Sequence, residues 1–282
     1  NYRGYDVCEI PPNGDGIIAL MALNILKGYS FEDRNRVDTL HKQLEAMKLA
    51  FADGNRYVAD AEFMRAPLET LLSEEYAAER RTLIGEEAKA PEPGDPFHGG
   101  TIYLCTADGE GNMVSYIQSN YMGFGSGIMI PGTGIALQNR GANFTLDETM
   151  ENCLGPGKKK SLHTIIPGFL MKDGEAVGPF GVMGGFMQPQ GHVQVIMNTL
   201  DFMMNPQETL DAPRWQWVGG KKIQVERTFP ADLVEELKRR GHEMEVLESS
   251  LTFGRGQIIW RNENGVLCGA TEPRADGTVA VW

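Results

Sequence analysis

An α+β fold built in layers follows from three features of the 282-residue sequence. Apolar residues recur at helical spacing through most of the first hundred residues. Near residue 100 the period shortens to that of strands joined by turn-rich segments. Helices then return before a closing hairpin. Helices followed by consecutive strands, rather than strict strand–helix alternation, predict sheets and helices stacked as a sandwich.

Taken in order, Gly16 to Lys27 reads as an apolar helix closed by Gly28 at its C′ position. Asp38 is placed to cap a second helix, whose Leu40, Leu44, Met47 and Phe51 form a stripe at i, i+4, i+7 and i+11. A third helix is expected around Leu68 to Leu83, with charges on its outer face. Ala88 to Gly100, AKAPEPGDPFHGG, is rich in proline and glycine and reads as an exposed irregular loop. It is either a linker or a processing loop. Thr101 to Thr106 and Met113 to Gln118 are β-prone runs joined by ADGEGN, a hairpin. Short strands follow at Ile128 to Ile130 and Gly134 to Leu137 around PGTG, then at Thr164 to Ile166 and Gly168 to Met171 ahead of a turn at KDGE. Val193 to Met204 reads as a buried helix, and Asn205-Pro206 starts another, with Asn as N-cap and Pro at the first helical position. Phe229 to Arg240 is amphipathic and stops at Gly241. Gly256 to Arg261 and Val266 to Ala270 close the chain around the ENG turn.

Composition narrows the function. The formal charge of -12 and a pI near 4.9 leave no basic stripe for phosphates, so nucleic acid is not an expected partner. No apolar run approaches the roughly 18 residues of a membrane span, so no membrane partner is expected. Cys8, Cys105, Cys153 and Cys268 are far apart and form no CxxC pair. They read as buried or idle thiols, and no metal or organic cofactor is expected. The chain begins without Met and reads from its first residues as the interior of a fold, so further polypeptide upstream is expected. The compartment stays open between cytoplasm and periplasm or exterior.

The chemistry-bearing segment is His98-Gly99-Gly100-Thr101. Thr opens a strand directly after a flexible loop. A Thr hydroxyl there can attack its own preceding carbonyl, because Gly tolerates the strained backbone that an N→O acyl shift needs. Once the Gly100–Thr101 bond is cut, Thr101 carries a hydroxyl and a free α-amine. That amine, with a reference pKa of roughly 7.7–8.0, can serve as the base. His98 reads as a loop residue. A simple strand start is the alternative reading of Gly-Thr.

Thr101 to Phe144, TIYLCTADGEGNMVSYIQSNYMGFGSGIMIPGTGIALQNRGANF, resembles the small-subunit start of the gamma-glutamyltranspeptidase family, which includes the related cephalosporin acylases. EIPPNGDGIIALMALNIL (9–26), HTIIPGF (163–169), GVMGGFMQPQGH (181–192) and TEPRADG (271–277) extend the resemblance over essentially the whole chain. It implies the four-layer αββα sandwich of the N-terminal nucleophile hydrolases. Residues 1–100 would be the C-terminal part of a large subunit ending in the processing loop, and 101–282 the small subunit, both from one precursor. It implies Thr101 as nucleophile, Gly100 before the scissile bond, and Ser119 at the position of a second Thr that assists the catalytic amine. Gly184 and Gly185 match the pair whose N–H groups form the oxyanion hole.

Three departures bear on substrate. Tyr121, Arg140 and Asn143 stand where the transpeptidases place Asn, Gln and Asp around the α-amino end of the glutamyl group. Neutral Asn143 cannot pair with an ammonium as Asp does, and Arg140 repels one while attracting a carboxylate. His163 and Thr164 align with two carboxylate-binding serines. The acyl group is therefore not expected to require a free α-amine, and glutaryl-like amides are expected to be accepted. Arg140 as part of a structural ion pair, and His163 as a core histidine, remain alternatives. The expected activity is a self-processing amidohydrolase or acyltransferase on γ-glutamyl or related side-chain amides. The rivals are a glutaryl-amide acylase and a non-catalytic precursor or scaffold. The expected partners are a small-molecule amide and the two subunits of the precursor, with a homo-oligomer left open.

Overall fold

The computed structural model describes residues 1–91 and 101–282. His98 and Gly100, the residue expected before the scissile bond, lie outside the described residues. β1 (Asp6–Cys8) leads into α1 (Gly16–Lys27) and α2 (Val37–Tyr57), followed by the short α3 (Leu68–Leu71) and α4 (Glu74–Arg81). Then come the hairpin β2 (Thr101–Ala107) and β3 (Met113–Ser119), the small hairpin β4 (Met129–Ile130) and β5 (Ile135–Ala136), and the hairpin β6 (Gly168–Lys172) and β7 (Glu175–Met183). After α5 (Met187–Leu200) and α6 (Pro206–Asp211) run β8 (Trp215–Gly219), β9 (Lys222–Glu226), α7 (Ala231–Arg239), β10 (Glu243–Leu247), β11 (Arg255–Arg261) and β12 (Leu267–Thr271).

The central sheet has the order β1-β6-β7-β11-β12, antiparallel throughout. On one face it carries α5, backed by α1 and α2; on the other lies the β2–β3 hairpin. Helices, sheet and second sheet stack as in the αββα sandwich, so the expected α+β class holds. The two faces meet at β7. A Cβ on Gly181 would stand 2.4 Å from the Tyr103 ring of β2, so glycine is what lets the nucleophile strand lie flat on the central sheet. The hairpin's outer residues Ile102, Leu104, Val114 and Tyr116 are exposed.

Local chemistry explains the elements. Asp108 accepts from the amides of Glu110 and Asn112, closing ADGEGN, and Asn262 does the same for Asn264 and Val266 in the last hairpin. Asn205 and Glu208 form a full capping box around Pro206. α1 is apolar nearly all round because all of Gly16 to Leu26 but the half-buried Leu20 and Asn24 is buried, between α2, α4 and α5.

Five expectations need correction. Asp38 does not cap α2. It lies in the first turn and pairs with Lys42 and Arg240 instead. Gly28 ends α1 with an ordinary right-handed φ of -73°; it is small because the Arg81 guanidinium packs where a Cβ would be. The helix expected over 68–83 is split in two, since Ser73 caps α4 by accepting from the Tyr76 amide. Residues 164–166 are not a strand, and α5 begins at Met187, enclosing His192. The motif TEPRADG proves architectural: Glu272 binds Arg214 at 2.8 Å, and Arg274 binds Glu272 and Glu226, tying the end of β12 to β8 and β9.

Candidate active site

Thr101 opens β2 and pairs in register with Ser119, the last residue of β3. The strand pairing brings two hydroxyls together: Thr101 Oγ donates to Ser119 Oγ at 3.0 Å. Ser119 Oγ also accepts from the Tyr121 amide at 2.9 Å. Tyr121 is buried with φ of 77°, a left-handed turn that a bulky side chain adopts only when its surroundings compel it. That turn returns the chain so that Arg140 Nη2 donates to the Ser119 carbonyl at 2.8 Å. Thr101, Ser119 and Arg140 therefore form one connected group.

Arg140 is buried, and its Nε has no hydrogen-bond partner among the described residues. Burial lowers its pKa, and the negative charge of Asp15 opposes that shift. His163 is pushed down to about 4, first by burial and then by Arg140, so it is a neutral imidazole at pH 7. Thr164 is buried with Oγ1 unpartnered among the described residues. Asn143 is occupied by scaffolding: its Nδ2 donates to the Leu162 carbonyl, and its own carbonyl accepts from Asn152.

Gly184 and Gly185 form the turn between β7 and α5, at φ of 139° and 60°. Their carbonyls accept the amides of Met187 and Gln188, while their own N–H groups stand ahead of the helix ladder, where no intrahelical acceptor exists. No hydrogen bond among the described residues joins this turn to Thr101. The Gly181–Tyr103 contact sets the two strands side by side three residues before Gly184 and two after Thr101.

The sequence reading passed over a polar layer behind this group. Asp15, just before α1, is completely buried, and neither carboxylate oxygen has a partner among the described residues. Its amide donates to the His163 carbonyl at 3.0 Å. Glu9 holds His192 at 2.6 Å through one oxygen and leaves the other unpartnered, as is Nε2 of Gln188. Burial, reinforced by Glu9, holds the Asp15 carboxyl well above the usual carboxylate range. The only sequence signal was an acidic residue in front of an otherwise apolar helix.

Elsewhere, His41, Glu45 and His242 place potential ligand atoms within 4.8 Å of one another. The cation among them is the Lys48 ammonium, which donates to Glu45 at 2.7 Å and lies 3.3 Å from His242 Nδ1.

The profile of the gamma-glutamyltranspeptidase family matches residues 1–282. The glutathione hydrolase-like YwrD proenzyme of Bacillus subtilis (strain 168) is 38% identical over 98% of this chain and 54% of its own length. The oxamate amidohydrolase proenzyme of Klebsiella pneumoniae is 32% identical over 96% of this chain and 52% of its own. A crystal structure of cephalosporin acylase from Bacillus halodurans is 63% identical, with a TM-score of 0.95, over 100% of this chain and 52% of that one. The chain thus spans about half the length of the relatives it matches.

Proposed function

The chain belongs to the gamma-glutamyltranspeptidase family, and from that premise we propose that it is the Thr-bearing part of a self-processing amidohydrolase or acyltransferase that works through an acyl-Thr101 intermediate. The relatives' names differ in the acyl group or substrate they mention, while glutathione hydrolase, oxamate amidohydrolase and acylase all denote cleavage of an amide. The observation that carries the reading is the contact chain from Thr101 through Ser119 to Arg140.

In the proposed reaction Thr101 Oγ attacks the amide carbonyl of the substrate. The α-amine of Thr101, freed by cleavage after Gly100, takes the hydroxyl proton and delivers it to the departing amine. The oxyanion of the tetrahedral intermediate is assigned to the N–H groups of Gly184 and Gly185. Water, or an amine acceptor, then attacks the ester and releases Thr101. Ser119 holds the Thr101 hydroxyl in place. Arg140 anchors a carboxylate at the far end of the acyl group, with Thr164, His163 and the Tyr121 turn shaping the site. Residues 1–100 and 101–282 are assigned to the two subunits of one precursor. The exposed apolar face of the β2–β3 hairpin suits cover by further polypeptide.

An acyl end bearing a carboxylate fits γ-glutamyl and glutaryl amides alike. The glutaryl reading draws support from the 63% identity to a cephalosporin acylase. The test uses the full-length protein. Mass spectrometry should find a new N-terminus at Thr101, and γ-glutamyl or glutaryl p-nitroanilide should release p-nitroaniline. Thr101→Ala should abolish both cleavage and turnover; an active Thr101→Ala protein refutes the mechanism.

A further inference from the structure

No hydrogen bond among the described residues ties the Gly184–Gly185 turn to Thr101, yet the proposed reaction needs the two at a fixed spacing. An oxyanion hole acts only when its N–H groups come within about 2.7–3.1 Å of the developing charge. The spacing is therefore a matter of how the β2–β3 hairpin packs on β7.

Alternation along both strands shows what meets there. In β2, Thr101 and Tyr103 are buried while Ile102 and Leu104 are exposed, so the nucleophile and the Tyr103 ring share the face toward the central sheet. In β7, the Phe180 ring lies against His192 of α5, with centroids 4.9 Å apart, and Val182 packs on Gly191 of the same helix. Gly181, between them, points the other way, onto the Tyr103 ring. Three ring atoms lie 2.4, 2.6 and 2.7 Å from where its Cβ would be. The nearest is about 1 Å inside ordinary carbon contact. The ring is also held at its far end, where the Tyr103 hydroxyl is 2.8 Å from Ser115 Oγ on β3. From this contact Thr101 is two residues away along β2 and Gly184 three along β7, roughly 7 and 10 Å of strand. The turn has no room to retreat, because a Cβ on Gly184 would stand 3.1 Å from Gly254 Cα.

Resting on the acyl-Thr101 reading, we propose that Tyr103 is a positioning residue: its ring, seated on the bare backbone of Gly181, is the spacer that holds Thr101 Oγ at reacting distance from the Gly184 and Gly185 amides. Arg140 is bonded to Ser119 at the end of β3, so the carboxylate anchor travels with Thr101 when the hairpin moves. A change in the spacer therefore misplaces the oxyanion donors and leaves substrate binding largely intact. It acts on kcat rather than on KM.

The experiment measures kcat and KM for γ-glutamyl and glutaryl p-nitroanilides in the full-length protein and its variants, per chain cut after Gly100 as counted by mass spectrometry. Gly181→Ala should lower kcat about 100-fold, the cost of a misplacement of roughly 1 Å, with KM changed less than threefold. Tyr103→Leu should lower kcat at least tenfold, and Tyr103→Phe, which keeps the ring, should retain most of what Tyr103→Leu loses. In the double variant Gly181→Ala/Tyr103→Leu the smaller side chain makes room for the new Cβ, so kcat should exceed that of Gly181→Ala alone by tenfold or more. A Gly181→Ala protein with kcat within threefold of the wild type overturns the proposal, as does a double variant no faster than Gly181→Ala. Losses that fall on KM, or that follow Tm across the variants, make the contact merely structural and overturn it too. If Gly181→Ala does not fold, the Leu and Phe variants of Tyr103 decide on the same terms. A wild type that turns over neither anilide removes the amidohydrolase reading itself, and the proposal with it, before any variant is made.

Discussion

Replacing Lys48 by Met tests how the segment leading toward Thr101 is held. The Lys48 and Glu45 side chains are 1% and 3% exposed and 2.7 Å apart. The ammonium also donates to the Lys89 carbonyl, and Glu45 accepts from the Lys89 amide, so one ion pair holds both sides of that residue. Lys48 points its third donor at His242 Nδ1, which obliges His242 to carry its proton on Nε2. From there it donates to His41 Nδ1 at 2.8 Å, and His41 Nε2 donates to the Gly85 carbonyl. Every proton in this chain runs one way. Lys48→Met leaves Glu45 as an uncompensated buried charge, which typically costs about 3–5 kcal/mol. An unfolding entropy of about 2.1 cal/mol/K per residue gives roughly 0.6 kcal/mol/K for this chain, so Tm should fall by about 5–8 °C if it unfolds as a unit. Calorimetry on the 282-residue chain reads the shift, and hydrogen exchange at the Lys89 amide reads the local release. Glu45→Gln added to Lys48→Met removes the stranded charge and should restore more than half of the loss. A loss under about 1 kcal/mol, or a double variant no better than the single one, refutes the reasoning.

Two further outcomes follow from the site. Arg140→Gln should raise KM roughly 10- to 100-fold for anilides whose acyl group ends in a carboxylate, the worth of a charge-assisted hydrogen bond, while a valeryl anilide is affected much less; equal effects on both classes would make Arg140 merely structural. His163 has a folded pKa of about 4, below its unfolded value. Its contribution to stability is therefore complete above about pH 6.5 and is lost as the pH falls toward 4. Urea midpoints between pH 7.5 and 4.5 should depend less on pH in His163→Asn than in the wild type, with His41 and His242, also held neutral by burial, contributing to what remains. An unchanged slope refutes this.

Much of the fold was legible because its signals are local. The ADGEGN and ENG turns close through a single Asp or Asn side chain, and Asn205-Pro206 caps through its own neighbours. What misled were signals that depend on distant partners. Asp38 looked like a cap because no pattern along the chain reveals that Lys42 and Arg240 claim it. α2 was read from its apolar stripe, which says nothing of the buried His41, Gln43, Glu45, Lys48 and Asp53 beside it. Those polar residues are paid for by partners far away, among them His242, Trp215 and Arg80.

The sequence by itself determined the strand that begins at Thr101 and the layered α+β class, since turn chemistry and hydrophobic period act over a few residues, while the glycine pair at 184–185 stood out only through the resemblance to the family. Tertiary structure alone decided that Thr101 and Ser119 share a hydrogen bond, that Arg140 returns to Ser119, and that Asp15 stands buried with no hydrogen-bond partner for its carboxyl group among the described residues. Asp15 and Arg140 are brought near each other by strand pairing, a left-handed turn at Tyr121 and the burial of α1, none of which is encoded within one window of the chain.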